Sequence, residues 1–324
     1  SGSPPAFNGV NYRSPTGEQT GDGETGKKAS GMLMVDGVLY MWVRNAGNSQ
    51  LAWSSDFGQT WTWSTWKFTT SFGFPTFLNF AKNYEGARDA YVYIYSPDND
   101  NAYLPTDRMV LARVPKGEIT NRDIYEFFKG LDANGNPLWT MDIAQRQAVF
   151  THPGRSFRSS ISYQAELKRY LWVQTLPGVD LVLNTGFGIY DAPEPWGPWT
   201  TAYFTEHWDV PFGEMGSFPT KWMSANGKTL YLVFSGDDFF SVRMATLTVA
   251  ETPTVATTAA TSVTTTGATL NGSVNPNGVA TIGWFEWGTD SGLASYSAAA
   301  NQSLGAGTTS QPVGAPLSGL APGA

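Results

Sequence analysis

An all-β fold is predicted, and three features predict it. One phrase recurs four times: DGVLYMWV (36–43), AYVYIYS (90–96), LKRYLWVQ (167–174) and GKTLYLVFS (227–235). Each alternates aromatic or β-branched side chains over the length of a strand. Aromatic residues make up 14% of the chain, with 13 Trp, against 15% charged residues, a balance that suits packed sheets and not disorder. From about Thr252 the composition turns to Thr, Ala, Ser and Gly, which marks a second, smaller β module.

The repeat has four parts. A short strand comes first: SGMLMV, PTFLNF, SSISYQ and SFPTKWMS. The recurring phrase follows, then a third strand after a polar turn: QLAWSSD, RMVLARVP, FGIYDAP and FSVRMATLTV. In three of the four a Trp-bearing strand closes the unit: WTWSTW, PLWTMDIA and EPWGPWTTAYF. Four-stranded meanders repeated at this length are the signature of a β-propeller. Tyr40, Tyr93, Tyr170 and Tyr231 lie 53, 77 and 61 residues apart. The long gap is assigned to an insertion, NRDIYEFFKGLDANGNP (121–137). Its first half has helical spacing (Ile124, Phe127, Phe128, Leu131) and its second half is a Gly/Asn turn.

Four blades are clear, and a length of 250 residues at roughly 45–50 per blade predicts five. The divergent stretch 113–150 is the candidate for the extra blade, and FNGVNYR (7–13) is expected to supply the missing fourth strand of the last unit. The domains are drawn at 1–250, the propeller, and 251–324, a partial C-terminal β-sandwich. The stretch SSDFGQTW (54–61) is a turn in which Asp56 accepts from the backbone that follows it, Gly58 takes positive φ, and Trp61 packs back on the hairpin. It resembles the Asp-box of sialidase-type propellers.

Net charge is −7, which disfavours nucleic acid and anionic membranes as partners. No apolar run approaches the roughly 20 residues that span a bilayer. There is no cysteine and there are only two histidines, which excludes disulfides, thiolate chemistry and a His-rich zinc site. No cofactor is expected; the acidic turns SPDNDN (96–101) and DANGN (132–136) leave room for a structural calcium ion, although DANGN lacks the glycine and closing glutamate of a calcium loop.

In a propeller the loops leading into the inner strands gather at one mouth. Here they are TGDGETGKK (20–28), TSFGFP (70–75), THPGRSFR (151–158) and PFGEMGSFP (211–219). Asp22, Glu24 and Glu214 are the candidate catalytic carboxylates, because glycoside hydrolysis needs two such groups on opposite faces of the bond. Lys28, Arg44, Phe74, Arg155 and Arg158 are candidates for holding substrate, with Phe72, Phe157 and Phe218 as further apolar walls. His152 and Tyr163, with the arginines between them, suggest a polysaccharide lyase instead, a His or Tyr base working beside a cation that neutralises a uronate.

The phrases GDGETGKKASGMLMVDGVLYMWV, KNYEGARDAYVYIYS, RMVLARVPK, GFGIYDAPEPWGPWT and MSANGKTLYLVFSGDD together resemble an uncharacterised family of secreted bacterial propellers. That family is related to the endo-D-arabinanases and more remotely to five-bladed furanosidase propellers. The resemblance implies a secreted glycoside hydrolase with a polysaccharide or oligosaccharide substrate. It also implies an early acid in the first blade, matched by Asp22 or Glu24, and a second acid after the LY-containing strand. There this chain has Arg44 and Asn45, so Glu214 stands in as the second acid. The runs ATLNGSVNPNG, WFEWGT and LSGLAPG resemble a bacterial fibronectin type III-like module, taken as a truncated spacer. A non-catalytic glycan-binding or adhesion protein is the reading outside enzymology.

Overall fold

The computed structural model describes residues 26–321 apart from 46, 178–184, 211, 237–238, 249–250 and 291. The chain divides into two compact units, 1–247 and 248–324. Both are built of strands, and among the described residues no helix is long and apolar enough to cross a membrane.

The first unit holds four antiparallel meanders. β1 (Lys28–Val35), β2 (Val38–Arg44), β3 (Ser49–Ser54) and β4 (Thr62–Phe68) pair in chain order. β5 (Thr76–Asn79), β6 (Tyr91–Pro97), β7 (Thr106–Pro115), β8 (Glu126–Leu131) and β9 (Pro137–Thr140) form the second, and β10 (Ala148–Ser156) also pairs with β7. The third is β11 (Ser159–Gln164), β12 (Arg169–Thr175), β13 (Phe187–Ala192) and β14 (Thr200–Thr205). The fourth is β15 (Gly216–Ser217), β16 (Thr229–Gly236) and β17 (Phe239–Thr246).

The first strands of the meanders adjoin one another, which makes the arrangement propeller-type. β5 and β11 pair in parallel, Ile161 with Leu78 and Ser162 with Asn79. Serine hydroxyls bridge two further junctions: Ser30 Oγ donates to Pro75 O over 2.8 Å, Ser160 Oγ to Gly216 O over 2.6 Å, and Ser162 Oγ to Phe218 O over 2.8 Å. Gly31 is needed where β1 meets β5, since a Cβ there would lie 2.8 Å from the Thr76 Cα. Residues of all four first strands, Ser30, Thr76, Ser160, Ser162 and Ser217 among them, line one cavity of about 360 Å³. That cavity is the axis of the four sheets.

Aromatic side chains fill the spaces between sheets. Trp42 packs 5.3 Å from Phe68 and 6.1 Å from Phe77, joining the first sheet to the second. Phe212 stacks on Phe187 at 4.4 Å and on Phe234 at 5.4 Å, joining the third to the fourth. All six are buried, so their packing excludes water between blades.

Two expectations change. The 121–137 insertion is not helical: after a short 3₁₀ turn at Arg122–Ile124 it becomes β8, with Phe127 opposite Ala112 of β7. Two adjacent aromatics, Phe127 and Phe128, are both buried there, and pairing with β7 on one side and β9 on the other makes the segment a strand. The stretch 113–150 makes no blade of its own, because β8, β9 and β10 all extend the second sheet. Among the described residues the strands of the first unit group as four meanders. Residues 7–13 lie outside them.

The 54–61 turn is built as its residues require. Gly58 has φ 87°. The backbone N–H of Gly58 donates to Ser54 Oγ over 2.8 Å and that of Thr60 to Asp56 Oδ1 over 2.9 Å, while the Trp61 indole donates back to Gly58 O over 3.0 Å. Hydrogen bonds from Ser54 and Thr60 hold the Asp56 carboxyl down at about 2.

In the second unit β18 (Thr254–Thr261), β19 (Gly267–Asn275) and β24 (Gln311–Ser318) form a three-stranded sheet. β20 (Thr281–Gly283) pairs with β23 (Gln302–Gly305), and β21 (Glu286–Trp287) with β22 (Ser297–Ala298). Val274 and Ala315 are its buried apolar residues among those described.

Candidate functional site

Each of the four sheets sends a side chain to one place. The first supplies Lys28 and Arg44, which sit opposite each other at the end of the β1–β2 ladder. The second supplies Phe74, just before β5, and Tyr103, from the loop between β6 and β7. Arg158 immediately precedes β11 of the third sheet, and Glu214 comes from the loop leading into β15 of the fourth.

Glu214 is fixed by its backbone. Gly213 before it has φ 72° and no room for a Cβ against Ser235, so glycine alone makes that corner. The Glu214 N–H then donates to Ser235 Oγ over 2.7 Å. Its carboxylate, one-third exposed, accepts from Arg158 Nη1 at Oε2 over 2.6 Å, and Arg44 Nη2 lies 3.6 Å from the same oxygen.

The two guanidinium groups are almost wholly buried, Arg44 at 2% and Arg158 at 1% exposure. Both lie over the same two rings: Arg44 Cζ is 5.5 Å from the Phe74 centroid and 4.8 Å from that of Tyr103, and Arg158 Cζ is 5.4 and 4.9 Å from them. The negative ring faces attract the cations, and the Tyr103 hydroxyl also hydrogen-bonds Arg44. Arg158 Nε donates to Ala102 O over 3.2 Å, whereas Nε and Nη1 of Arg44 have no hydrogen-bond partner. A buried donor left unpaired costs about 1–3 kcal/mol, and more on a charged group.

Charge shapes the titrations. Burial lowers the Arg158 guanidinium and the Arg44 charge lowers it further, against the opposing pull of Glu214. For Tyr103 burial pushes upward, but the hydrogen bond and charge of Arg44, with the charges of Lys28 and Arg158, outweigh it and hold the phenol below its usual value. The site is thus a nest of cations around one described carboxylate.

Of the residues singled out in the sequence, Lys28, Arg44, Phe74, Arg158 and Glu214 come together. Asp22 and Glu24 lie outside the described residues. Arg155 does not join the group: its Nη1 donates to Pro177 O over 3.2 Å and its Nη2 pairs with Glu206. His152 stands apart as well, its Nδ1 3.4 Å from the Tyr190 hydroxyl and its ring 5.5 Å from Phe204. Burial and the Arg155 charge lower it, against Glu206. Tyr163 belongs to the core: it is buried, 4.8 Å from Tyr170 and 5.3 Å from Phe80, toward the end of β11 away from Arg158. The His152–Arg–Tyr163 cluster therefore does not form, because alternation along β11 turns Tyr163 inward. Phe72, Phe157 and Phe218 are buried like Phe74; the Phe157 ring lies 5.0 Å from Arg158 Cζ, and Phe218 lines the axial cavity. Tyr103 was missed; the only signal was an aromatic residue among the turn-forming residues of DNDNAYLP.

Among the described residues no three His, Asp or Glu side chains group to hold a metal ion. In the DANGN turn Asp132 Oδ1 accepts from the Asn134 and Asn136 backbones, both over 2.8 Å, as an ordinary turn does. A second groove, of about 680 Å³, opens at the other ends of the first strands, lined by Met32, Met34, Asn79, Asn83, Pro219 and Lys221.

Residues 26–245 match the family described as a domain of unknown function (DUF4185). The chain belongs to that family. No curated protein matches the chain. Among solved structures the DUF4185 unit is similar to the GH43_1 enzyme from Xanthomonas citri, with 15% identity, 67% of each chain covered and a TM-score of 0.38. An endo-1,5-alpha-L-arabinanase from Thermotoga petrophila is 11% identical over 66% of this chain and 55% of that one, with a TM-score of 0.34. An exo-beta-1,3-galactanase from Phanerochaete chrysosporium is 11% identical over 97% and 93%, with a TM-score of 0.31. At this distance the likeness says nothing of what the DUF4185 mouth does, and the chemistry has to come from Glu214 and its neighbours.

Proposed function

We propose that the DUF4185 unit is a glycoside hydrolase that cleaves a polysaccharide at this mouth. The observation that carries the reading is Glu214: a partly exposed carboxylate, fixed by its backbone and by Arg158, at the point where four sheets meet. Paired with Arg158 and near Arg44, Glu214 suits the base or nucleophile of the pair. The general acid then falls to Asp22 or Glu24, which precede β1 in the sequence and lie outside the described residues. The acid gives its proton to the leaving glycosidic oxygen, and Glu214 either takes a proton from the attacking water or bonds to the anomeric carbon until water releases it.

A lyase is the second reading, and Tyr103 favours it. A phenol held below its usual value by two arginines and a lysine is suited to remove the proton beside a uronate. The sugar oxygen across the new double bond would then leave. Product analysis decides between them. Hydrolysis yields new reducing ends without ultraviolet absorbance, elimination yields unsaturated absorbing ends, and a glycan-binding protein yields neither. Full activity in both Asp22→Asn and Glu214→Gln would remove the hydrolase reading.

A further inference from the structure

We propose that residues 7–13, FNGVNYR, pair antiparallel with the outer edge of β17 and close the fourth meander. The first three meanders each carry a fourth strand, β4, β8 and β14, whereas among the described residues only β16 pairs with β17. β17 matches β16 residue for residue, from Phe239 opposite Gly236 to Thr246 opposite Thr229, without a bulge. Alternate N–H and C=O groups of such a strand point outward. One row of its side chains, Phe240, Val242 and Met244, is 44–76% exposed. Its one charge, Arg243, belongs to the other row, with Cζ 4.3 Å from the Trp208 centroid and Nη1 2.7 Å from Asp209 Oδ2. β17 therefore lacks the lysine, proline or bulge that blunts a free edge, and an apolar row beside unpaired backbone marks a surface that something covers.

Direction and reach select the occupant. Ser235 Oγ accepts from the Glu214 N–H, and the Glu214 carboxylate lies 3.6 Å from Arg44, which stands opposite Lys28. The start of β17, a few residues past Ser235, and the start of β1 therefore share the mouth. A segment antiparallel to β17 runs toward that mouth, where the chain must arrive to enter β1. At about 3.3 Å per residue the stretch 14–27 spans up to about 46 Å, many times the strand spacing of about 4.8 Å, so it reaches from an outer strand to the first strand of the next meander. The stretch 178–184 is tied at both ends, between β12 and β13. Pro5 and Pro15 bound a stretch about as long as β17. Within it Val10 and Tyr12 share one face of a strand, the match for the row Phe240, Val242 and Met244. Asn8, Gly9 and Asn11 make a poorer template for further pairing than β17 itself. The pairing does not depend on the hydrolase reading, but it carries 14–27, and with them Asp22 and Glu24, across the mouth.

Hydrogen exchange, read by mass spectrometry on the whole chain and on a chain lacking residues 1–13, tests the pairing without reading turnover. The amides of β17 should exchange at least about tenfold faster in the shortened chain, while those of β2, β6 and β12 keep their protection and show that it folds. A second test keeps the full length. The chain has no cysteine of its own, so Tyr12→Cys can be combined in turn with Phe240→Cys, Val242→Cys and Met244→Cys. One of these pairs should oxidise to a disulfide, because opposed residues on one face bring their Cβ atoms within about 4.5 Å, and the other two should stay largely reduced. Equal exchange of β17 in the two proteins overturns the proposal, as does oxidation of none of the pairs or of all three alike. Protection of β17 that appears only at high protein concentration also overturns it, and assigns the edge to a second copy of the chain.

Discussion

Arg158 donates from Nη1 to Glu214 Oε2 over 2.6 Å, tying the strand start of the third sheet to that of the fourth. The two residues lie 56 positions apart in the chain. Arg44, from the first sheet, reaches the same oxygen. Glu214 is thus both the candidate catalytic group and the counter-charge that lets two arginines lie buried.

Removing that counter-charge should destabilise the fold. Glu214→Ala leaves Arg44 and Arg158 facing each other in a water-poor site. Breaking a fully buried pair costs about 3–5 kcal/mol, and the one-third exposure of Glu214 reduces the expectation to about 1–3 kcal/mol. Urea unfolding measures it; an unchanged midpoint would show the arginines to be solvated.

Tyr103 should ionise before the buried Tyr84 and Tyr95. Its folded value lies below the usual 10.0, so the phenolate gains stability in the folded state, fully present above the unfolded value and lost as pH falls through the folded one. Burial pushes Tyr84 and Tyr95 in the opposite direction. Phenolate absorbance against pH should show one early transition that disappears in Tyr103→Phe and moves upward in Arg44→Gln. A single transition shared by all tyrosines would contradict the cation nest.

The Asp56 turn carries a pH dependence in acid. With the folded carboxyl at about 2 against 3.8 unfolded, its contribution is present above pH 3.8 and is lost as pH falls through 2. The difference in Tm between the unmodified protein and Asp56→Asn should therefore shrink on acidification from pH 5 to pH 2. A constant difference would mean that Ser54 and Thr60 do not bind the ionised form.

Gly31→Ala tests the contact between first strands. The added Cβ would lie 2.8 Å from the Thr76 Cα, backbone that cannot swing away. Overpacking of this kind costs about 1–3 kcal/mol. A neutral result would place β1 and β5 farther apart.

The sheets were legible because propeller strands carry local signals: alternation in DGVLYMWV and its three counterparts became β2, β6, β12 and β16. The approach loops could be named for the same reason, and four of their residues, Lys28, Phe74, Arg158 and Glu214, converge with Arg44 at the end of β2. What the sequence hid was set by tertiary context. Phe127 and Phe128 fit either period until a partner strand, β7, decided between them. Tyr163 and Arg158 lie five positions apart, yet one enters the core and the other the mouth, a difference of side-chain direction that β11 alone determines. Tyr103 joins the site only because its loop folds over arginines from two other sheets.

The most direct test of the central claim is reducing-end release from a panel of acidic and neutral polysaccharides, with the unmodified chain and Glu214→Gln side by side. Release from at least one polysaccharide is expected, with a loss of at least about a hundredfold in the variant, the scale of a missing general acid or base. Equal rates for the two proteins would contradict it.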